Sequence, residues 1–129
     1  MTKQGLYKIL DHLEVLVDAF LAFDTNLKII IAMPTSSENS GDGWEHDYPG
    51  STTQDQYIRL INFMGEEIIS RYRSGKYNSR VFVSYEAFFL DRDLGYIKVD
   101  GVHTNGVHCN ETGHTMLGKG LAPTLNKLL

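Results

Sequence analysis

Two short runs, Lys28-Ile29-Ile30-Ile31-Ala32-Met33 and Arg80-Val81-Phe82-Val83-Ser84, constrain the fold of this chain more than any other feature. Both are apolar and rich in β-branched residues, without the polar alternation of a strand that has one wet face. Each is expected to be a strand covered on both sides, as in a parallel sheet between helices. Pro34 ends the first run.

The segments around them read as helices. Leu6, Ile9, Leu10, Leu13, Leu16, Val17 and Phe20 recur at three- and four-residue steps, with Lys8, Asp11 and Asp18 facing water. Asp24-Thr25-Asn26 breaks that pattern. Thr53 and Gln56 have the spacing of a capping box. The helix they open would bury Tyr57, Leu60, Ile61, Met64, Ile68 and Tyr72 and close at Gly75. Asn110 is expected to cap a last helix with Met116, Leu117 and Leu121 inward, and Pro123 to kink it. Phe88 and Phe89 are expected in the core or as sheet cover, and His12 on the polar flank of the first helix. Two irregular stretches remain. Residues 35–51 form a polar loop long enough to suggest function, and a second runs from about Asp91 to Cys109.

Strands alternating with helices predict an α/β fold, a three-layer parallel-sheet sandwich in a single domain over residues 1–129. Two parallel strands leave both sheet edges unpaired. The sandwich is therefore expected to be incomplete, and self-association or a missing complementary half is the expected remedy.

The composition excludes several classes of function. With 42% hydrophobic and 22% charged residues in 129, the chain can bury one modest core. A net charge of -4 argues against nucleic acid or an anionic membrane as partner. The longest apolar run, Ile29 to Met33, is too short to cross a bilayer. No secretion signal precedes the first helical pattern, so a signal in a longer parent would lie outside this sequence. Cys109 is the sole cysteine and forms no intrachain disulfide, which leaves the compartment open.

Chemistry concentrates in Asp100-Gly101-Val102-His103-Thr104-Asn105-Gly106-Val107-His108-Cys109-Asn110-Glu111-Thr112-Gly113-His114, which follows the second strand and enters the last helix. Loops beyond the carboxyl ends of strands are where open α/β sheets place their sites. An acid and an imidazole three residues apart suit a general base whose Nδ1 proton is held by a carboxylate.

This block resembles the end of the SGNH (GDSL-type) hydrolases, in which an Asp-x-x-His precedes the C-terminal helix and a short run ending in Gly-Tyr/His opens it. His108 to His114 fits that helix-opening run, with Cys109 where proline is common, and Lys28 to Pro34 is similar to the family's buried strand ending in proline. The resemblance covers the C-terminal half of such a domain. It implies an SGNH or flavodoxin-like sheet, ester hydrolysis through an acyl-serine, no cofactor, and an ester substrate such as a lipid or an acetylated carbohydrate. His108 would be the base and Asp100 its orienting acid. His103 competes, because Asp100 pairs with it by spacing, whereas the residue three before His108 is Asn105.

The family's Gly-Asp-Ser block and its oxyanion residues have no counterpart here. Ser36, Ser37, Ser40 and Ser51 fall in the polar loop, Ser70 and Ser74 in the second helix, and Ser79 and Ser84 beside a strand. The chain alone is therefore expected to be inactive. Trp44 and Tyr48, with His46 and Asp47, offer substrate contacts in the long loop, or an aromatic anchor for it. Two other readings stay open. One is a binding or structural module that kept the fold without the chemistry. The other is a zinc site drawn from His103, His108, His114 and Cys109, although their spacing fits no tight template.

Overall fold

The computed structural model describes residues 2–50, 52–73, 75–77 and 79–129. Ser51 and Ser74 of the serines above lie outside the described residues. The chain runs α1 (Lys3–Phe23), β1 (Ile29–Ala32), α2 (Asp42–Asp47), α3 (Gln54–Tyr72), β2 (Val81–Ser84), β3 (Lys98–Val99), β4 (Val102–His103) and α4 (Glu111–Asn126), with 3-10 turns at Gly75–Tyr77 and Glu86–Phe89. It is a mixed α/β fold.

The two apolar runs are strands, and they pair in parallel from Ile29 opposite Val81 to Ala32 opposite Ser84. Leu10 and Val17 from α1, Ile68 and Tyr72 from α3, Ile31, Met33 and Val81 around the strands, and Tyr77 form one buried cluster. α3 starts at the expected capping box, with Thr53 and Gln56 satisfying each other's backbone N–H groups. α4 starts at Asn110, whose side chain accepts from the Gly113 N–H at 2.9 Å. No helix among the described residues is long and apolar enough to cross a membrane.

Three local expectations need correction. The long loop is not structureless, because α2 forms inside it. The second irregular stretch folds into the β3–β4 hairpin, which pairs with itself rather than with β1 or β2. Strands of two residues leave too short a pattern for periodicity to detect. Phe88 and Phe89 are exposed, not core, on a 3-10 turn that meets α4 at Gly120, where a β-carbon would collide with Glu86 and the Phe89 ring. Pro123 lies inside α4, which runs on to Asn126. A proline this near the end removes one bond from a last turn that frays anyway.

The apolar face of α1 is only half covered. Leu6, Leu10 and Val17 are buried, whereas Ile9, Leu16, Phe20 and Phe23 are exposed.

Candidate functional site

The loops that leave the carboxyl ends of β1 and β2 meet through one buried carboxylate. Glu38 is fully buried. Its Oε2 accepts from the Ser40 N–H at 2.5 Å, the Ser40 hydroxyl at 2.9 Å and the Gly41 N–H at 3.0 Å. Its Oε1 accepts from the Gly41 N–H at 2.9 Å, the Trp44 N–H at 3.4 Å and the Gln54 amide at 3.0 Å. Arg92, after β2, donates to the Ser37 and Glu38 carbonyls at 2.7 and 2.9 Å. Burial pulls the Glu38 carboxyl up, but the N–H of Gly41, the hydroxyl and N–H of Ser40 and the N–H of Trp44 outweigh it and hold the group below its ordinary range. A carboxylate so supplied stays ionised and sets the path of the loop.

His103 belongs to this hub. It is 3% exposed, with Nδ1 3.3 Å from Glu38 Oε2 and 3.0 Å from the Ser40 hydroxyl. Its Nε2 lies 3.1 Å from the Asp93 carbonyl oxygen, which can only accept, so Nε2 carries the proton. The Ser40 hydroxyl has a single hydrogen and stands 2.9 Å from Glu38 Oε2 and 3.0 Å from Nδ1, so it can donate to only one of them at a time. Ser40 and His103 stand as a nucleophile and a base would. However, the nearby N–H groups of Ser40, Gly41 and Trp44 are directed at Glu38, so they are not free to stabilise an oxyanion. The arrangement is that of a loop clasp.

His108 is placed differently. It is exposed, two residues before the Asn110 cap of α4. Asn105 Oδ1 accepts from the N–H groups of Val107 and His108 at 3.1 and 2.6 Å, folding the backbone into a tight turn. The Asn110 amide donates to the Leu94 and Tyr96 carbonyls at 2.9 and 2.7 Å, tying the start of α4 to the preceding segment. Tyr96 is fully buried and donates to the Ser36 carbonyl.

Asp100 is not brought to either histidine. It is exposed at the tip of the β3–β4 hairpin with φ of 51°, and Gly101 follows at 83°. Two consecutive positive φ values are what a two-residue hairpin turn demands, and Asp-Gly supplies them. The Asp100-to-His103 spacing is therefore used by a turn. The acids within ion-pair distance of His103 among the described residues are Glu38, and Asp93 at 3.9 Å.

Trp44 is buried, donates Nε1–H to the Thr52 carbonyl at 2.8 Å, and packs between Tyr48 and Tyr57 at centroid distances of 4.6 and 4.8 Å. It anchors the loop, and Tyr48 presents the outer face of the stack. Among the described residues no group of three or more His, Cys, Asp or Glu side chains is disposed to hold a metal ion. Burial raises the Cys109 thiol above its ordinary range, which disfavours the thiolate that metal binding needs. A groove of about 460 Å³ lies between the ends of the parallel strands and α3, lined by Met33, Pro34, Ile61, Phe88, Leu90 and their neighbours, and neither histidine reaches it.

Sequence patterns did not single out Glu38, Gln54 or Arg92. The available signal was an acid followed at short range by Ser40, Gly41 and Gly43, small residues that let backbone N–H groups converge on a carboxylate. No protein-family model, curated protein or solved structure matches this chain.

Proposed function

We propose that this chain is the histidine-bearing half of an SGNH-type ester hydrolase, and that the parallel pair β1–β2 is part of a larger three-layer sandwich. One observation carries the reading: an exposed imidazole, His108, stands on a capped and doubly bonded turn at the start of α4, among the loops that follow the strands. A general base needs such a fixed yet accessible ring. In the intact enzyme His108 takes the proton of a serine supplied from elsewhere and returns it to the leaving alcohol. Ester hydrolysis by this route needs no metal or organic cofactor.

The test is complementation. The chain alone is expected to leave p-nitrophenyl acetate almost untouched and to take up no fluorophosphonate. Supplying a Gly-Asp-Ser half, by extending the gene upstream or by co-expression, is expected to restore both turnover and the labelling of one serine. Stoichiometric labelling of Ser40 in the chain alone would replace this reading with a Ser40–His103 centre. A second reading, a non-catalytic binding module, draws on the fact that no described serine hydroxyl is hydrogen-bonded to His108. Failure of every complemented form to hydrolyse or label would favour it.

The half-covered α1 and the unpaired edges of the parallel strands carry a second expectation. The isolated chain should self-associate, giving a light-scattering mass above 14.6 kDa and a melting temperature that rises with concentration. A strictly monomeric species with a sharp, concentration-independent melt would count against an incomplete sheet.

A further inference from the structure

Two glycines bring α2 onto the histidine loop. A β-carbon on Gly43 would lie 2.6 to 2.9 Å from the backbone of Asn105, and one on Gly106 would lie 2.9 to 3.0 Å from the backbone of Trp44. The chains therefore touch backbone to backbone, closer than side chains permit. At the end of this contact Asp47 Oδ2 accepts from the Gly106 N–H at 3.0 Å. Its other oxygen, Oδ1, is 3.0 Å from His46 Nδ1. His46 is 70% exposed and Asp47 20%, so the carboxylate faces the loop more than the solvent.

We propose that Asp47, rather than Asp100, is the acid that positions His108: it fastens the Asn105–His108 turn through the Gly106 N–H. This rests on the reading of His108 as the base. Asp47 is a positioning residue, since it acts on the ring through the backbone and the local field. Asn105 occupies the place of the in-line acid and supplies hydrogen bonds without charge. Asp47 supplies the charge from another element.

The electrostatics agree with the geometry. The His46 hydrogen bond and the Gly106 N–H hold the Asp47 carboxyl below its ordinary range, burial opposes them, and the charges of His46 and His108 lower it further. His46 and His108 are the titratable groups whose charges act on it.

The test uses the chain as it stands, so its outcome is separate from that of complementation. The Asp47 carboxyl is followed by carbon NMR through an acid titration in the wild type, in His108→Gln and in His114→Gln. The midpoint should rise in His108→Gln and stay in place in His114→Gln. Asp47→Asn keeps an oxygen for the Gly106 N–H and should retain the amide shifts of residues 106–108, whereas Asp47→Ala should lose them. An Asp47 midpoint indifferent to His108→Gln, or amide shifts unchanged in Asp47→Ala, would overturn the proposal while leaving the esterase reading intact. Coupling without hydrolysis in any complemented form would instead retain the pairing and remove the esterase.

Discussion

Replacing His108 by alanine in the complemented enzyme is expected to lower kcat by on the order of 10³-fold or more, the scale of losing one member of a catalytic triad. The imidazole stands on a turn held by Asn105 and closed by the Asn110 cap. Its removal should therefore cost chemistry and leave folding nearly unchanged. His103→Ala should show the opposite pattern. His103 is buried with both ring nitrogens engaged, so its loss should appear as a lower melting temperature, with kcat of the folded fraction much less affected. Asp100→Asn should be close to silent, because asparagine tolerates the left-handed conformation of that turn. The measurements are steady-state kinetics and thermal melts on the same preparations. If His103→Ala abolished turnover in a stable protein while His108→Ala kept it, the roles of the two histidines would be exchanged.

Glu38→Ala should give the largest loss of stability of any single substitution in the loops, about 3–5 kcal/mol, as expected when one partner is removed from a buried charged network. The donors on Ser40, Gly41, Trp44 and Gln54 would be left without their acceptor. In a domain of this size that corresponds to a melting temperature lower by roughly ten degrees or more. Glu38→Gln keeps the shape but turns a donor amide toward donors, so it should lose less than alanine yet remain clearly destabilised. The dependence on pH has a definite sign. The Glu38 carboxyl lies lower in the folded chain than its ordinary value of 4.5, so its contribution is complete above that value and disappears as pH falls from there through the lower folded value. Acid should therefore destabilise the wild type more steeply across that window than Glu38→Gln. Urea denaturation at neutral and acid pH measures both effects. An alanine variant melting within two or three degrees of wild type would show that water replaces the carboxylate at little cost, and that the loop is not built on it.

Periodicity and capping are local, and they carried well from sequence to structure. The apolar runs at Ile29 and Val81, the capping box at Thr53 and Gln56, and the Asn110 cap each depend on residues within a few positions of one another. They therefore identified the parallel pair and both ends of the second loop. The candidate site is another matter. Asp100 and His103 have the spacing of an acid and a base, yet the same Asp-Gly pair is the preferred turn of a two-residue hairpin, and there the turn won. Glu38, Gln54, Arg92 and His103 come from four separate stretches of chain, as do Asp47 and Gly106 from two. Nothing in linear order marks them. A loop that must satisfy its backbone groups away from water recruits partners by proximity in space, and which side chains lie near is known only once the helices and strands have packed. The sequence by itself determined the three long helices, the parallel strands and the placing of two histidines between β2 and α4. Only the tertiary structure decided that His103 would be buried as a clasp and His108 left open, because burial depends on what the distant α2 loop covers.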